Sequence, residues 1–513
     1  MFESSLFIGW LTRLLQYING IWRESFACRI VKRIASWFSN LYNGSVVVGF
    51  LSKDGILSRN WETSIAFRGL DRLFNFIPDL LKKLFAKFHI AFEGSLLFRL
   101  ISFLSRNVPV LTAVFLAVSL VVPHNYWNNL YTSIAVLILF GLFLINTMVD
   151  KEAKFASKAI DVFLFIFMIT VILAQVLSVY PALSLRFFAM YFTNFVLVFL
   201  LASSIKTKEQ LADVIEIILI GAVLFGLYGV YQAIKGVPVL AYEVDTTLNE
   251  GMPGRIFSSF DNANNLAQVI VMLLPLFVAV IMNAKGWQKR LLFGVGAIPL
   301  FISLGLTLSR SGWIGLAVAV LVFIFLVKRS LIPLFIILGI LAIPFLPDFI
   351  VKRLATITNL QDTSTSYRFD IFKTMWPVVK DHWYTGLGLG TDAVKVMTIA
   401  RDYAVYTKAV PPHFHNLFME IWIETGIVGI LSFLGFIGRL VKKSLRAIFN
   451  KAADPYCQNV LKAGLSGLMG ILVIGIAEYV WYYPRVMLVF WMLIGIILAA
   501  LKLSANQEKE PEN

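Results

Sequence analysis

Charge, cysteine and metal-binding patterns are all scarce in this sequence. Only 15% of its 513 residues are Asp, Glu, Lys or Arg while 58% are hydrophobic, a balance that excludes an ordinary soluble domain. Two cysteines, Cys28 and Cys457, lack metal-site spacing and activating partners, so both read as structural. No His-Glu-x-x-His occurs, and His413-x-His415 is a weak ligand set that His382 would have to join, so no metal or other cofactor is expected. The glycines of HWYTGLGLGT, residues 382–391, are not followed by Gly-Lys-Ser/Thr. Gly386, Gly388 and Gly390 therefore read as a tight turn rather than a phosphate cradle.

Apolar sequence is what abounds. Mean hydropathy is +0.79, and from residue 108 onward runs of roughly 17 to 23 apolar residues recur, close to the ~20 that cross a bilayer as a helix. The expected fold is all-α: a polytopic membrane protein of about twelve spans. They are placed at 108–123, 127–148, 159–179, 183–204, 212–234, 264–283, 290–308, 312–328, 331–347, 416–437, 459–480 and 485–502. The implied layout is an N-terminal region 1–106, nine spans within 107–347, a large extracytoplasmic loop 348–415, three spans within 416–503 and a cytoplasmic tail 504–513.

The formal charge of +15 has a membrane explanation. Lys151/Lys154/Lys158, Lys206/Lys208, Lys285/Lys289/Arg290, Lys328/Arg329 and the cluster from Arg439 to Lys451 fall in alternate loops, the pattern of cytoplasmic retention. Twelve spans then leave both termini in the cytoplasm. Residues 1–106 carry fourteen basic against seven acidic residues and lack the apolar core of a signal peptide. On a helical plot Phe26, Ala27, Ile30, Val31, Ile34, Trp37 and Phe38 share one arc opposite Arg29, Lys32 and Arg33. Such a helix lies in the headgroup plane or packs as a small cytoplasmic domain. The partner of this charge is the lipid bilayer; no nucleic acid is expected.

Three polar segments then face outward. PGRIFSSFDNANNLA, residues 253–267, opens a helix with good N-cap residues, and capping does not explain Arg255. LSRSGW, residues 308–313, places Arg310 at a boundary where retention disfavours a cation. The long loop contains STSYRFDIF around Arg368. Arginine forks bind phosphate oxygens bidentately, so Arg255, Arg310 and Arg368 suit a pyrophosphate, and a neutral His415 nearby suits a general base. In HFHNLFMEIWIETG, residues 413–426, His413 is of open role. Asn416, Glu420 and Glu424 follow at i, i+4 and i+8 as one stripe expected to face the bundle interior, chiefly for structural hydrogen bonds.

GRIFSSFDNANNLA, LSRSGWIGL, YRFDIF, TGLGLG and HNLFMEIWIETGIVGIL, in this order, resemble the O-antigen ligase and O-antigen polymerase superfamily over about residues 180–440. Family members often carry Asn-Pro-Asn where this chain has Asn262-Ala263-Asn264, a difference in turn geometry rather than chemistry. The resemblance implies a C-type membrane glycosyltransferase, inverting and metal-independent. It would take a glycan from undecaprenyl pyrophosphate on the outer face of the cytoplasmic membrane and pass it to a glycan, lipid or protein acceptor. Arg255, Arg310 and Arg368 would clamp the pyrophosphate and His415 would activate the acceptor hydroxyl. A bicarbonate or other small-anion transporter is the alternative. It should show repeated halves and charges near the midplane; no repeat is evident, and charged residues in span interiors are few, Glu216 and Glu424 being the clearest.

Overall fold

The computed structural model describes residues 60–150, 153–239, 253–356, 363–390, 392 and 413–506, with isolated positions 20, 29 and 33. The amphipathic arc expected over 26–38 lies outside them, apart from Arg29 and Arg33. The chain divides into Met1–Glu62 and Thr63–Asn513, and every element below belongs to the second unit.

All the described elements are helical, as lipid demands, because hydrocarbon offers no water to unpaired backbone groups. In chain order they are α1 Ile65–Glu93, α2 Leu96–Arg106, α3 Val108–Val121, α4 Asn129–Val149, α5 Val162–Val176, α6 Pro181–Ser204, α7 Lys208–Lys235, α8 Ala263–Asn283, α9 Trp287–Leu306, α10 Arg310–Lys328, α11 Ile332–Ala342, α12 Asp348–Ala355, α13 Thr363–Asp381, α14 Leu417–Phe449, α15 Pro455–Ile474 and α16 Pro484–Asn506. Helices α8, α15 and α16 form the centre, and α9 and α11 lie at the edge with most side chains outward. Small residues permit the central contacts. A methyl on Gly467 would lie 2.6 Å from the Met272 carbonyl oxygen, and one on Gly470 2.8 Å from that of Gly315.

Nine described helices are long and apolar enough to cross a membrane, or ten if α2 and α3, bent by 71°, count as one span. The expected twelve are not reached by that measure. The third, α5, has only 15 residues, and the eighth and ninth run on through a short break at Lys328. The chain nevertheless turns back there. Helix α10 is about 28 Å long, yet Arg353 Nε donates to the Leu308 carbonyl at 3.2 Å and Arg310 to that of Thr356 at 2.8 Å. Residues 329–352 must therefore return to the end where α10 began. The eleventh span also stops early, at Ile474, which leaves Glu478 in the turn before α16.

Ion pairs gather the basic loops on one face: Lys206 with Asp150, Lys208 with Asp454, Lys289 with Glu216 and Arg439 with Asp161. Glu216 thus belongs to this layer rather than to a span interior. Against the same layer α1 packs by stacking Phe74 on Phe155, with ring centroids 4.6 Å apart, and by Lys82 Nζ donating to the Ala153 carbonyl at 3.1 Å.

The opposite face is organised by a break in α14. Gly426 has φ 72° and ψ −177°, a conformation open essentially to glycine alone. An intact helix would satisfy the Ile423 and Glu424 carbonyls with N–H groups four residues on. Here the glycine turn does so: Leu387 N–H donates to Ile423 at 2.7 Å and Gly388 N–H to Glu424 at 3.3 Å, while Ile427 N–H reaches the Trp383 carbonyl at 2.9 Å. Gly386, Gly388 and Gly390 all have positive φ, which makes the expected turn a plug against a broken helix. Ile371, Met375 and Val378 of α13 pack with Leu387, Phe414 and Ile423 as a small core that fixes the plug. An alanine at 426 is expected to remove at least about 1–3 kcal/mol of stability, read as a lower thermal midpoint of the detergent-solubilised protein. An unchanged midpoint would show that the break is not needed.

Candidate active site

The turn between α15 and α16 is tied to the start of α14. Leu417 N–H donates to the Gly475 carbonyl and Asn416 Nδ2 to that of Ile476, both at 2.8 Å. From this turn Glu478 projects into a polar cluster. Its Oε1 accepts from Arg368 Nη2 and, at 3.4 Å, from Asn264 Nδ2; its Oε2 lies 3.3 Å from His415 Nδ1. Burial would push this carboxyl up, but the Arg368 guanidinium and His415 outweigh it and hold the group down at about 2. An ionised carboxylate can only accept, so Nδ1 of His415 carries the proton and the basic lone pair of the neutral ring falls on Nε2.

His415 is held in an uncommon backbone state, φ 49°. Its N–H donates to His413 Nδ1 at 3.1 Å, and the two rings are 4.1 Å apart. His413 is buried between His415, Tyr479 and Tyr482. Burial, and then the neighbouring His415, lower its pKa to about 3. A histidine locked neutral in this way is an acceptor that shapes the turn.

The arginines reach the cluster by different routes. Arg255 is buried, donating from Nε to the Thr307 carbonyl at 2.8 Å and from Nη2 to Asn264 Oδ1 at 2.6 Å; Asn264 then links it to Glu478. Arg368 meets Glu478 directly, and its Nε is buried with no acceptor among the described residues. Arg310 begins α10 and donates to Thr356. It is brought to the turn that Arg255 grips through Thr307, not onto Glu478. Arg353, buried against Leu308, is a fourth arginine at the same turn.

The expected stripe divides. Asn416 caps α14, its Oδ1 accepting from Phe418 and Met419 N–H at 2.9 and 3.0 Å. Glu420 and Glu424 are fully buried. Glu420 accepts from Phe414 N–H at 2.9 Å; Glu424 accepts from Gly390 N–H at 2.9 Å, Tyr191 at 2.7 Å and Tyr479 at 3.2 Å. These two acids fasten both the glycine turn and the histidine turn to one helix. His382 carries the Gly386 N–H on its backbone carbonyl. Among the described residues no three His, Cys, Asp or Glu side chains converge as a metal site.

Sequence reasoning missed Glu478 and Arg353. The signal for Glu478 was a lone carboxylate in GIAEYVWYYP, and it was read as part of a span. Arg353 lay in the long loop, where nothing in the local sequence distinguished it from other basic residues.

A helical membrane bundle with a histidine, a carboxylate and several arginines converging at one end defines a polytopic membrane protein with a charged, enzyme-like site. Residues 295–434 match the O-antigen ligase family model. Over 212 residues, 38% of this chain, the sequence is 24% identical to an O-antigen ligase of Salmonella typhimurium, covering 51% of that protein. It is 27% identical over 169 residues to an uncharacterised protein of Haemophilus influenzae, covering 29% of this chain and 42% of that one. The chain thus spans about half the length of the curated relatives it matches. The matches make this part of the chain similar to the O-antigen ligase family. The matched domain includes Arg310, Arg368 and His415 but neither Arg255 nor Glu478.

Both titrations at the site act in one direction. Glu478 titrates at about 2 rather than 4.5, so its contribution to stability is complete above pH 4.5 and drains as pH falls toward 2. His413 titrates at about 3 rather than 6.5, so between these values the unfolded chain takes up a proton that the native state does not. Thermal stability should therefore fall as pH is lowered from 7 to 4. His413→Asn, which keeps an acceptor for the His415 N–H, should flatten the upper part of that decline; an unaltered profile would contradict the assignment.

Proposed function

We propose that the protein is a membrane glycosyltransferase of surface-polysaccharide biosynthesis. It moves a glycan from an undecaprenyl-pyrophosphate carrier to an acceptor hydroxyl on a lipid core sugar, a protein or a growing polysaccharide. The observation that carries this reading is Glu478: one ionised carboxylate fixes both the tautomer of His415 and the position of Arg368. A base and a cation are thereby set side by side, as transfer from a pyrophosphate requires.

In the proposed reaction the acceptor oxygen attacks the anomeric carbon of the donor. His415 Nε2 takes the hydroxyl proton, and Glu478 stabilises the imidazolium that forms. The bond from the anomeric carbon to the phosphoryl oxygen breaks, its electron pair leaving on the pyrophosphate. Arg368, Arg255 and Arg310 offset that charge, and the buried Nε–H of Arg368, which has no acceptor among the described residues, is a ready donor to a phosphate oxygen. Attack opposite the leaving group inverts the anomeric centre. The chain's own cations suffice for these steps, so the proposed mechanism needs no metal.

The orientation belongs to the same proposal. The face carrying Lys206, Lys208, Lys289 and Arg439 would be cytoplasmic by the retention rule, with both termini there. The site then opens outside the cytoplasmic membrane of a bacterium, where nucleotide sugars are absent and an activated donor must be lipid-linked.

Transfer from a lipid-linked oligosaccharide by the purified protein tests the reading. His415→Ala should lower kcat about 10³-fold and Arg368→Lys about 10²-fold. Glu478→Gln keeps an acceptor for Nδ1 but no negative charge, and should lower kcat about 10²-fold while shifting the pH profile. Full activity of the His415 variant would remove the base assignment. Lengthened carrier-linked glycan identifies a polymerase; transfer only to added acceptor identifies a ligase.

A further inference from the structure

Next to the histidine turn lies a cavity of about 310 Å³ whose walls carry Trp127, Arg186, Asp261, Asp392, Tyr482 and Tyr483. It sits where the starts of α4, α6 and α16 meet the segment before α8. Its polar groups are short of partners. Arg186 lies over the Phe187 ring, 5.1 Å from its centroid, and has no carboxylate or hydrogen bond among the described residues. Among the described residues Asp261 accepts only at Oδ1, from Asn265, and the buried indole Nε1 of Trp127 has no acceptor.

The aromatic walls are held rigid from beneath. Arg485 is 1% exposed, donates twice to the Tyr483 hydroxyl, at 3.0 and 2.7 Å, and reaches the Ser119, Val122 and Ser259 carbonyls. Its guanidinium also lies over Trp127, Phe260 and Tyr483. Flat apolar faces beside unpaired donors and acceptors of both signs fit a hydroxyl-rich ring with apolar C–H faces. Two carboxylates on the wall disfavour a phosphate.

Tyr482 joins this cavity to the proposed base. Its ring is 4.5 Å from that of His413, which is 4.1 Å from His415. Along this chain of contacts the cavity stands at one end and Glu478 with Arg368 at the other. Inversion places the incoming hydroxyl and the departing pyrophosphate on opposite sides of the anomeric carbon. Resting on the proposed glycosyl transfer, we infer that the cavity bounded by Trp127, Arg186, Asp261 and Tyr482 binds the sugar ring of the acceptor glycan.

The test uses full-length protein in nanodiscs, oligosaccharide released from the host's own surface polysaccharide, and inorganic pyrophosphate as a control anion. Saturation-transfer NMR reports binding without donor, and steady-state transfer gives the KM of each substrate. Exposed Arg186→Gln and isosteric Asp261→Asn should abolish saturation transfer to oligosaccharide. They should raise acceptor KM about tenfold or more with donor KM and kcat within about twofold. A rise in donor KM alone, no change in either KM, or displacement of oligosaccharide by pyrophosphate overturns the assignment, as does wild type that binds no oligosaccharide. Wild type that binds oligosaccharide but transfers nothing overturns glycosyl transfer and leaves the sugar site standing.

Discussion

Glu478 accepts from Arg368, His415 and Asn264 at once, and through Asn264 it is joined to Arg255. A buried carboxylate is costly unless its oxygens are satisfied, so these partners are held by the same necessity that keeps the acid ionised. Residues from α8, α13 and the head of α14 meet at a turn that belongs to none of them. Loss of that charge would leave the Arg368 guanidinium and the His415 ring without the anion that sets their positions.

The second constraint is the break at Gly426. Carbonyls opened inside a membrane helix need donors, and the glycine turn of the long loop supplies them. That requirement draws residues 383–388 down onto α14 and explains why three glycines with positive φ lie within five residues. Glu424 and Glu420 then hold the two ends of the segment that leaves this plug and returns as the histidine turn. The strained backbone of His415 follows from being fixed on both sides.

Much of this was legible in the sequence, for specific reasons. Apolar runs of membrane length located most helices, and Lys206, Lys208, Lys289 and Arg439 sorted the loops to one face because lysine and arginine respond to the membrane rather than to the fold. Arg310 stood out as a cation at a membrane boundary where retention disfavours one, and Arg368 and His415 as ionisable residues of the outward segments. Span ends were less legible. Hydropathy cannot register a φ of 72° at Gly426 or the stop at Ile474, so Glu478 was counted within a helix and its role passed unseen. The stripe of Asn416, Glu420 and Glu424 was correct as spacing but mixed two tasks, helix capping and burial under the glycine turn.

Composition and periodicity by themselves determined a helical membrane bundle, its basic face and the residue types able to bind a pyrophosphate or move a proton. Those properties depend on local sequence and on the solvent around it. Tertiary structure alone decided that Glu478 anchors His415, that Arg310 and Arg353 share the turn which Arg255 grips, and that Tyr482 separates the cluster from an aromatic cavity. Each of these joins residues far apart in the chain, and no local pattern encodes a contact whose geometry is set by how helices pack and where they end.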